Sequence, residues 1–308
     1  MEKINILTTL VQYLVFPGFL FLAVAGLFVS WADRKLAARM QWRVGPPLLQ
    51  SWYDIRKLFK KELIIPEGGN TLAFICAPVI ALLSIIYAGA NLIMILFMQG
   101  QIFPGDLFVF LYLLSIPSVC MMLGASASAN PYAALGASRE MKLILSYELP
   151  LLISIIVAAL KAHVMSLGLI IQFQMEHLPA IASLSGVLAV AVSMVCIQAK
   201  MGMAPFDVSE AETELAGGLF VEYSGPLLAV WKLVKMIAMI VFPLFLVLIF
   251  WAGGSLSLVV LKCAGIILIA IIARILSPRV RIDHALTFFW RKVTPWAILA
   301  LLLAIIGI

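Results

Sequence analysis

Apolar runs of about 20 residues, long enough to cross a ~30 Å hydrocarbon layer as a helix, recur along the whole 308-residue chain. No other feature constrains the fold so tightly. In lipid, backbone amides and carbonyls find partners only within a helix or a closed barrel. The runs are continuous, without the ~10-residue alternating segments of a barrel. Composition agrees: 12% of residues are charged and mean hydropathy is +1.13, where a soluble domain carries about 25% charge. The chain reads as an all-α, polytopic membrane protein forming a single integral membrane domain over residues 1–308.

Eight spans are expected, near 6–31, 71–98, 107–129, 143–160, 180–199, 225–251, 255–276 and 293–308. The first is too long for a signal-peptide core and ends in Asp33-Arg34-Lys35, so it is read as a retained spanning helix. An even number places both termini on one side. The connections after spans one, three, five and seven hold sixteen Lys and Arg residues, whereas the opposite side has only Lys3 and Lys161. That bias puts those connections in the cytoplasm and both termini outside, in the plasma membrane of a prokaryote. The net charge of +6 follows from this orientation and from anionic headgroups, and calls for no nucleic-acid partner. Cys76, Cys120, Cys196 and Cys263 lie far apart in apolar runs, and His163, His177 and His284 make no HxxxH pair. That excludes a local metal or iron–sulfur motif, so no redox centre is expected in this chain.

Four connections carry information. In "RVGPPLLQSWYDIRKLFKKE", Leu48, Leu49, Trp52, Ile55, Leu58 and Phe59 recur at helical spacing, with Arg56, Lys57, Lys60 and Lys61 mostly opposite. This predicts an amphipathic surface helix, either a lipid anchor or a docking helix. In "SREMKLILSYELP", Glu140 and Glu148 are eight residues apart on one helical face, and Pro150 is expected to kink the helix. A carboxylate inside a span normally faces a hydrated cavity or a partner charge.

The third stretch, "MAPFDVSEAETELAGGLFVEYSG", holds Asp207, Glu210, Glu212, Glu214 and Glu222. Read as a helix starting at Pro205, it brings Asp207, Glu210 and Glu214 within about 60° of one another, with Glu212 pointing away. Gly217-Gly218 would end or bend that helix. Acids on one face raise each other's pKa and titrate as a set; a solvated acidic loop is the alternative. The fourth, "RILSPRVRIDHALTFFWRK", places Arg274, Arg279 and Arg281 beside Asp283, either as topology anchors or as counter-charges for the acids. Lys232 and Lys235 share one face of span six and Lys262 lies in span seven. Two lysines at such depth suggest, with Glu148 and the acidic stretch, a chain of titratable groups entering the membrane.

These motifs carry a resemblance. "APFDVSEAETELAGGLFVEYSG" resembles the acidic signature of the membrane subunit beside the quinone site of complex I. "DRKLAARMQWRVGPP", "SREMKLILSYE" and "SPRVRIDHALTFFW" are similar to that family's other cytoplasmic signatures, in the same order. Complex I members usually carry Ala-Glu-Thr-Asn-Arg before Pro-Phe-Asp; here Lys200 replaces the acid and Met203 the arginine, and the first connection is shorter. "RVGPPLLQSWYDIRKLFKKE" and "EYSGPLLAVWKLVK" instead look like the equivalent subunit of membrane-bound [NiFe] hydrogenases and formate hydrogenlyases.

The resemblance implies a non-catalytic subunit of a ferredoxin- or formate-linked complex. It would anchor a soluble redox arm and couple its electron transfer to proton or sodium translocation. Asp207, Glu210, Glu212, Glu214, Glu222, Glu140 and Glu148, with Lys232 and Lys235, would form the coupling path. Arg34, Arg43, Arg139, Arg279, Arg281 and Asp283 are expected at the interface with partners. Those partners would be the hydrogenase large and small subunits, an iron–sulfur subunit and antiporter-like membrane subunits. The [NiFe] centre and iron–sulfur clusters would be theirs. A related sulfur-reducing complex or a true quinone reductase is the alternative; a free-standing transporter fits less well, because no internal repeat is visible.

Overall fold

The computed structural model describes residues 11–97 and 107–307. The first residues of span one and the short connection between spans two and three, residues 99–106, lie outside the described residues. Among the described residues every regular element is helical. Seven helices are long and apolar enough to cross a membrane, and Leu184–Lys200 is a shorter apolar helix. Together they account for the eight expected spans.

The spans are α1 (Phe19–Met40, within the run Val11–Met40), α3 (Thr71–Phe97), α4 (Leu107–Ala127), α5 (Pro131–Ala162), α7 (Leu184–Lys200), α9 (Gly225–Phe250), α10 (Leu256–Leu276) and the continuous run Ile282–Ile306, which ends in α12 (Thr294–Ile306). Shorter helices are α2 (Gln50–Phe59), α6 (Leu167–Glu176), α8 (Glu212–Leu215) and α11 (Ile282–Phe288). A π-helical turn, Phe289–Val293, joins α11 to α12. The central helix is α9, which packs against α1, α2, α3, α7 and α10. A second group, α5, α7 and α12, meets α9 mainly through α7, and α4 links α5 to α3. Trp231, Phe245 and Phe250 of α9 are among the largest fully buried side chains.

Local chemistry sets the helix ends. Asn130 caps α5, its Oδ1 accepting from the Tyr132 N–H at 2.8 Å, with Pro131 in the first turn. Proline also opens α9 and α12. The expected start of span four at 143 is corrected to Pro131, twelve residues earlier. Arg139 and Lys142 read as part of the preceding connection, although Glu140 reads on a helical face with Glu148; Arg139 and Glu140 find partners on the connection 201–224, so the helix carries them. It runs through Pro150 without ending.

The amphipathic helix is α2. Its buried face, Ser51, Ile55 and Leu58, seats on Ala229, Leu233 and Met236 of α9. Trp52 and Phe59 stay half exposed on the other side, so the protein uses only part of the expected apolar stripe.

One mismatch of lengths positions the site. At 17 residues, α7 rises only about 25 Å, short of a ~30 Å hydrocarbon layer. Its C-terminal Lys200 reaches Glu148, midway along the 32-residue α5. The chain then continues as the irregular connection 201–224, held inside the bundle. Such backbone is tolerated at membrane depth only where protein buries it or it lines a hydrated cavity.

Candidate functional site

The connection 201–224 is fastened at both ends by aromatic rings. Phe206, 5% exposed, packs against Phe288 and Phe289 with centroids at 5.9 and 4.9 Å. At the other end Tyr223 stacks on Phe74 at 4.1 Å and donates its hydroxyl to the Phe74 carbonyl at 3.1 Å. Burial pushes the Tyr223 hydroxyl up to about 12, so it serves as a donor and not as a proton carrier. Gln198 Nε2 donates to the Ala204 carbonyl at 2.8 Å, and the Val280 N–H to the Pro205 carbonyl at 3.0 Å.

The expected helix from Pro205 does not form. Val208–Glu210 and Gly218–Phe220 are single 3-10 turns and Glu212–Leu215 is one short α-turn. Backbone at Gly202, Ala216, Gly217 and Gly218 has positive φ, between 52° and 105°, which breaks any continuous ladder. Gly218 also lies so close to the Ser209 carbonyl that a Cβ there would sit 1.9 Å from the oxygen.

Consequently Asp207, Glu210 and Glu214 do not share a helical face, and each pairs with a cation on a different element. Asp207 meets Arg279 at 2.9 Å. Glu210 pairs with Lys235 of α9. Glu214 accepts from Arg139 of α5 at 2.6 Å. Glu222 accepts from Asn130 Nδ2 and so pins the start of α5. The side chain of Glu212 lies outside the described residues. The picture of mutually repelling acids is therefore corrected: the connection folds so that separate cations compensate separate acids.

Two cavities flank the Asp207–Arg279 pair. One, of about 530 Å³, is walled by Asp33, Asp207, Glu210, Lys235, Arg274 and Arg279 together with Met201, Gly202 and Met203. Its charges alternate, because Asp33 also pairs with Arg274 at 2.8 Å. The other, of about 370 Å³, is walled by Arg139, Glu214, Arg281 and Asp283 as well as by the shared pair. Arg281 and Asp283 make no ion pair among the described residues, and neither does Arg43.

From the larger cavity, titratable groups continue along α5. Glu140 is 3% exposed and accepts from Ser209, near Glu210 and Lys235. Tyr147, fully buried, stands within electrostatic reach of both Glu140 and Glu148. Glu148 accepts from Ser115 of α4 at 2.6 Å and from Lys200 at 3.2 Å, and Lys200 Nζ also donates to Ser115 at 2.7 Å. Sequence reasoning set Lys200 aside as a mark of ancestry and missed it as a partner. A lysine at the end of a span too short to reach the interface was the available signal. Asp33 was passed over for a similar reason, as the close of span one.

Other expected residues separate from this line. Lys232, three residues from Lys235, faces the opposite pair, Arg34–Asp54, whose atoms are 2.6 Å apart. At Asp54 burial raises the carboxyl, but hydrogen bonds from Arg34 and Gln50 outweigh it and hold the group below the ordinary range. Lys262 caps the far end of α9, donating to the Trp251 and Gly253 carbonyls at 3.0 and 2.8 Å, and takes no part in the line. Arg34, Arg139 and Arg279, expected at a partner interface, are engaged in ion pairs within the chain.

Residues 11–305 match the family described as NADH dehydrogenase. The chain belongs to this family. Within it, an NADH-quinone oxidoreductase subunit of Thermomicrobium roseum is 33% identical, over 94% of this chain and 94% of that protein. The same subunit in Brevibacillus brevis is 30% identical, over 94% and 92%. Among solved structures, a chain of the membrane-bound sulfane sulfur reductase, an archaeal respiratory membrane complex, superposes with a TM-score of 0.83. It is 28% identical, covering 92% of this chain and 96% of that one. The resemblance carried by the four ordered signatures thus agrees with both the family and the fold.

Proposed function

We propose that this chain is a non-catalytic membrane subunit of a multi-subunit respiratory complex, coupling electron transfer in a soluble arm to movement of protons or sodium ions. The observation that carries the reading is the line of paired titratable groups. It starts at the cavity between Asp207, Glu210 and Lys235, passes Glu140 and Tyr147, and ends at Glu148 in mid-membrane. Electrostatic work done at one end of such a line is felt at the other, because buried charges are weakly screened. The basic connections face the cytoplasm in this reading and receive the arm, with Arg281, Asp283 and Arg43 free to meet it.

The terminal chemistry belongs to partners. Following the sequence signatures, the arm is a ferredoxin-linked hydrogenase holding the [NiFe] centre and iron–sulfur clusters, with antiporter-like subunits beside this one. A second reading, sulfur reduction, is favoured by the structural likeness to the sulfane sulfur reductase chain. The test is the intact complex, purified through a tag on this chain and supplied with reduced ferredoxin. Hydrogen evolution, sulfide formation and quinone reduction are followed in parallel, and ion uptake is followed in proteoliposomes. Glu214→Gln and Glu148→Gln should uncouple uptake from turnover; full coupled turnover in both would refute the coupling role.

A further inference from the structure

Lys200 is an ammonium with its side chain 1% exposed, placed where an apolar span closes. Three groups surround it. Ser115 comes from α4, Glu148 from α5 and Cys196 from its own helix, one turn back. The Tyr147 ring lies 5.8 Å from its Nζ, and the π-helical turn before α12 brings the Phe289 ring against Tyr147. Among the described residues Glu148 is the one carboxylate facing it. Two contacts fix the geometry. Lys200 touches Glu148 directly and also donates to Ser115, which in turn donates to the same carboxylate. Glu148 itself is 25% exposed on the flank of the bundle, among the outward-facing Met141, Leu145 and Leu149.

We propose that Lys200 is a positioning residue whose charge keeps Glu148 ionised at rest, so that the mid-membrane end of the path is emptied of its proton until the pair is parted. The inference rests on the coupling role proposed above, but its chemistry can be read alone. A carboxylate at membrane depth without a counter-charge takes up a proton, because desolvation disfavours the ion. With Lys200 beside it, the ion is kept. Ser115 reinforces this, since a hydroxyl donating to the carboxylate favours the charged form.

The test uses dicyclohexylcarbodiimide, an apolar reagent that adds only to protonated carboxyl groups and leaves a stable acylurea. The intact complex is treated at rest, with neither donor nor acceptor, across a range of pH, and the peptide holding Glu148 is quantified by mass spectrometry. Glu148→Gln supplies the blank. In the native complex labelling should be low at neutral pH. In Lys200→Gln it should rise at least tenfold, with its midpoint at least one pH unit higher. Lys200→Arg, which keeps the charge, should stay near the native profile. Equal labelling and equal midpoints in the native complex and Lys200→Gln would overturn the proposal. If Lys200→Gln fails to assemble, Ser115→Ala gives the second reading, with a smaller rise in the same direction expected and no rise counting against. Labelling needs no turnover. A coupling role refuted by Glu214→Gln would therefore leave this result standing, and a flat labelling profile would leave the coupling role standing.

Discussion

The acidic connection keeps its shape because Gly218 passes against the Ser209 carbonyl. A pair of alanine substitutions isolates that contact. Gly202 and Gly218 both hold left-handed backbone, at φ +61° and +52°. They differ in what a new Cβ would meet. At Gly202 the nearest group is Glu210 Oε1 at 3.5 Å, an ordinary contact, whereas at Gly218 it is the Ser209 carbonyl oxygen at 1.9 Å. Gly202→Ala therefore costs only the conformational strain of a left-handed alanine, about 1–2 kcal/mol. Gly218→Ala costs that strain plus an overlap with backbone that no rotamer can relieve, about 1–3 kcal/mol more.

A convenient assay uses the chain's own thiols. Cys120 and Cys196 are buried among spanning helices, so a fluorogenic thiol reagent reports their exposure on heating. At about 2 °C per kcal/mol for a chain of this size, Gly202→Ala should melt ~2–4 °C below the native protein and Gly218→Ala ~4–10 °C below it. Moving Ser209 also moves its neighbour Glu210 away from Lys235, so coupled turnover should fall in Gly218→Ala and persist in Gly202→Ala. Equal melting of the two variants would refute the reasoning, because it would mean that the 201–224 connection yields freely at its closest approach.

Three further outcomes are expected. Ile55→Ala removes a side chain 3% exposed from the contact of α2 with α9, at about 2–5 kcal/mol. Tryptic cleavage at Arg56 and Lys57 should accelerate, and an unchanged rate would show that α2 is held by something else. Asp54 is held below its ordinary value of 3.8, so its pair with Arg34 stabilises α2 above that pH. The contribution is lost as pH falls through the lower, folded-state value. Hydrogen exchange in α2 should therefore quicken only in acid, and Asp54→Asn should exchange faster at neutral pH without that acid step. Arg139→Ala breaks a pair whose acid is 57% exposed, and surface pairs are worth about 0–1 kcal/mol. Its melting should match the native protein within ~2 °C while coupled turnover drops; a large loss of stability would show that the pair is structural.

The spans were legible because each contains a long apolar run; the start of α5 at Asn130-Pro131 was not, because Arg139, Glu140 and Lys142 interrupt the apolar pattern. The acids were legible as residues but not as geometry. A helix was a fair reading of "PFDVSEAETEL", since Glu, Ala and Leu favour helices. What defeats it is tertiary: a Cβ-free approach of Gly218 to Ser209, and aromatic anchors at Phe206 and Tyr223 drawn from distant helices. Ion-pair partners were half legible. Arg279 was foreseen as a counter-charge and does meet Asp207, whereas Glu148–Lys200 joins positions 52 residues apart. Nothing local announces such a pair. Only the shortness of α7 beside the length of α5 brings it about.

That same arrangement explains why the acids can act together. Every ion pair in the line joins two elements: Asp33 of α1 to Arg274 of α10, Glu210 of the connection to Lys235 of α9, Glu214 to Arg139 of α5, and Glu148 of α5 to Lys200 of α7. Protonating one acid leaves its cation without its partner; the consequence is small at the exposed Glu214–Arg139 pair and greatest at Glu148, whose partner Lys200 is buried. The cation's helix must then shift, or the cation must turn to another acid. Around the 530 Å³ cavity the alternatives are close at hand, since Asp33, Asp207 and Glu210 line the same wall as Lys235, Arg274 and Arg279. A proton arriving there can be answered by exchanging partners. At Glu148 that exchange has no counterpart, because among the described residues Lys200 faces no second acid. Under the proposed coupling role, the cavity end of the line would rearrange by exchanging partners, whereas the Glu148–Lys200 end would respond only when that pair is parted, which would give the line a direction.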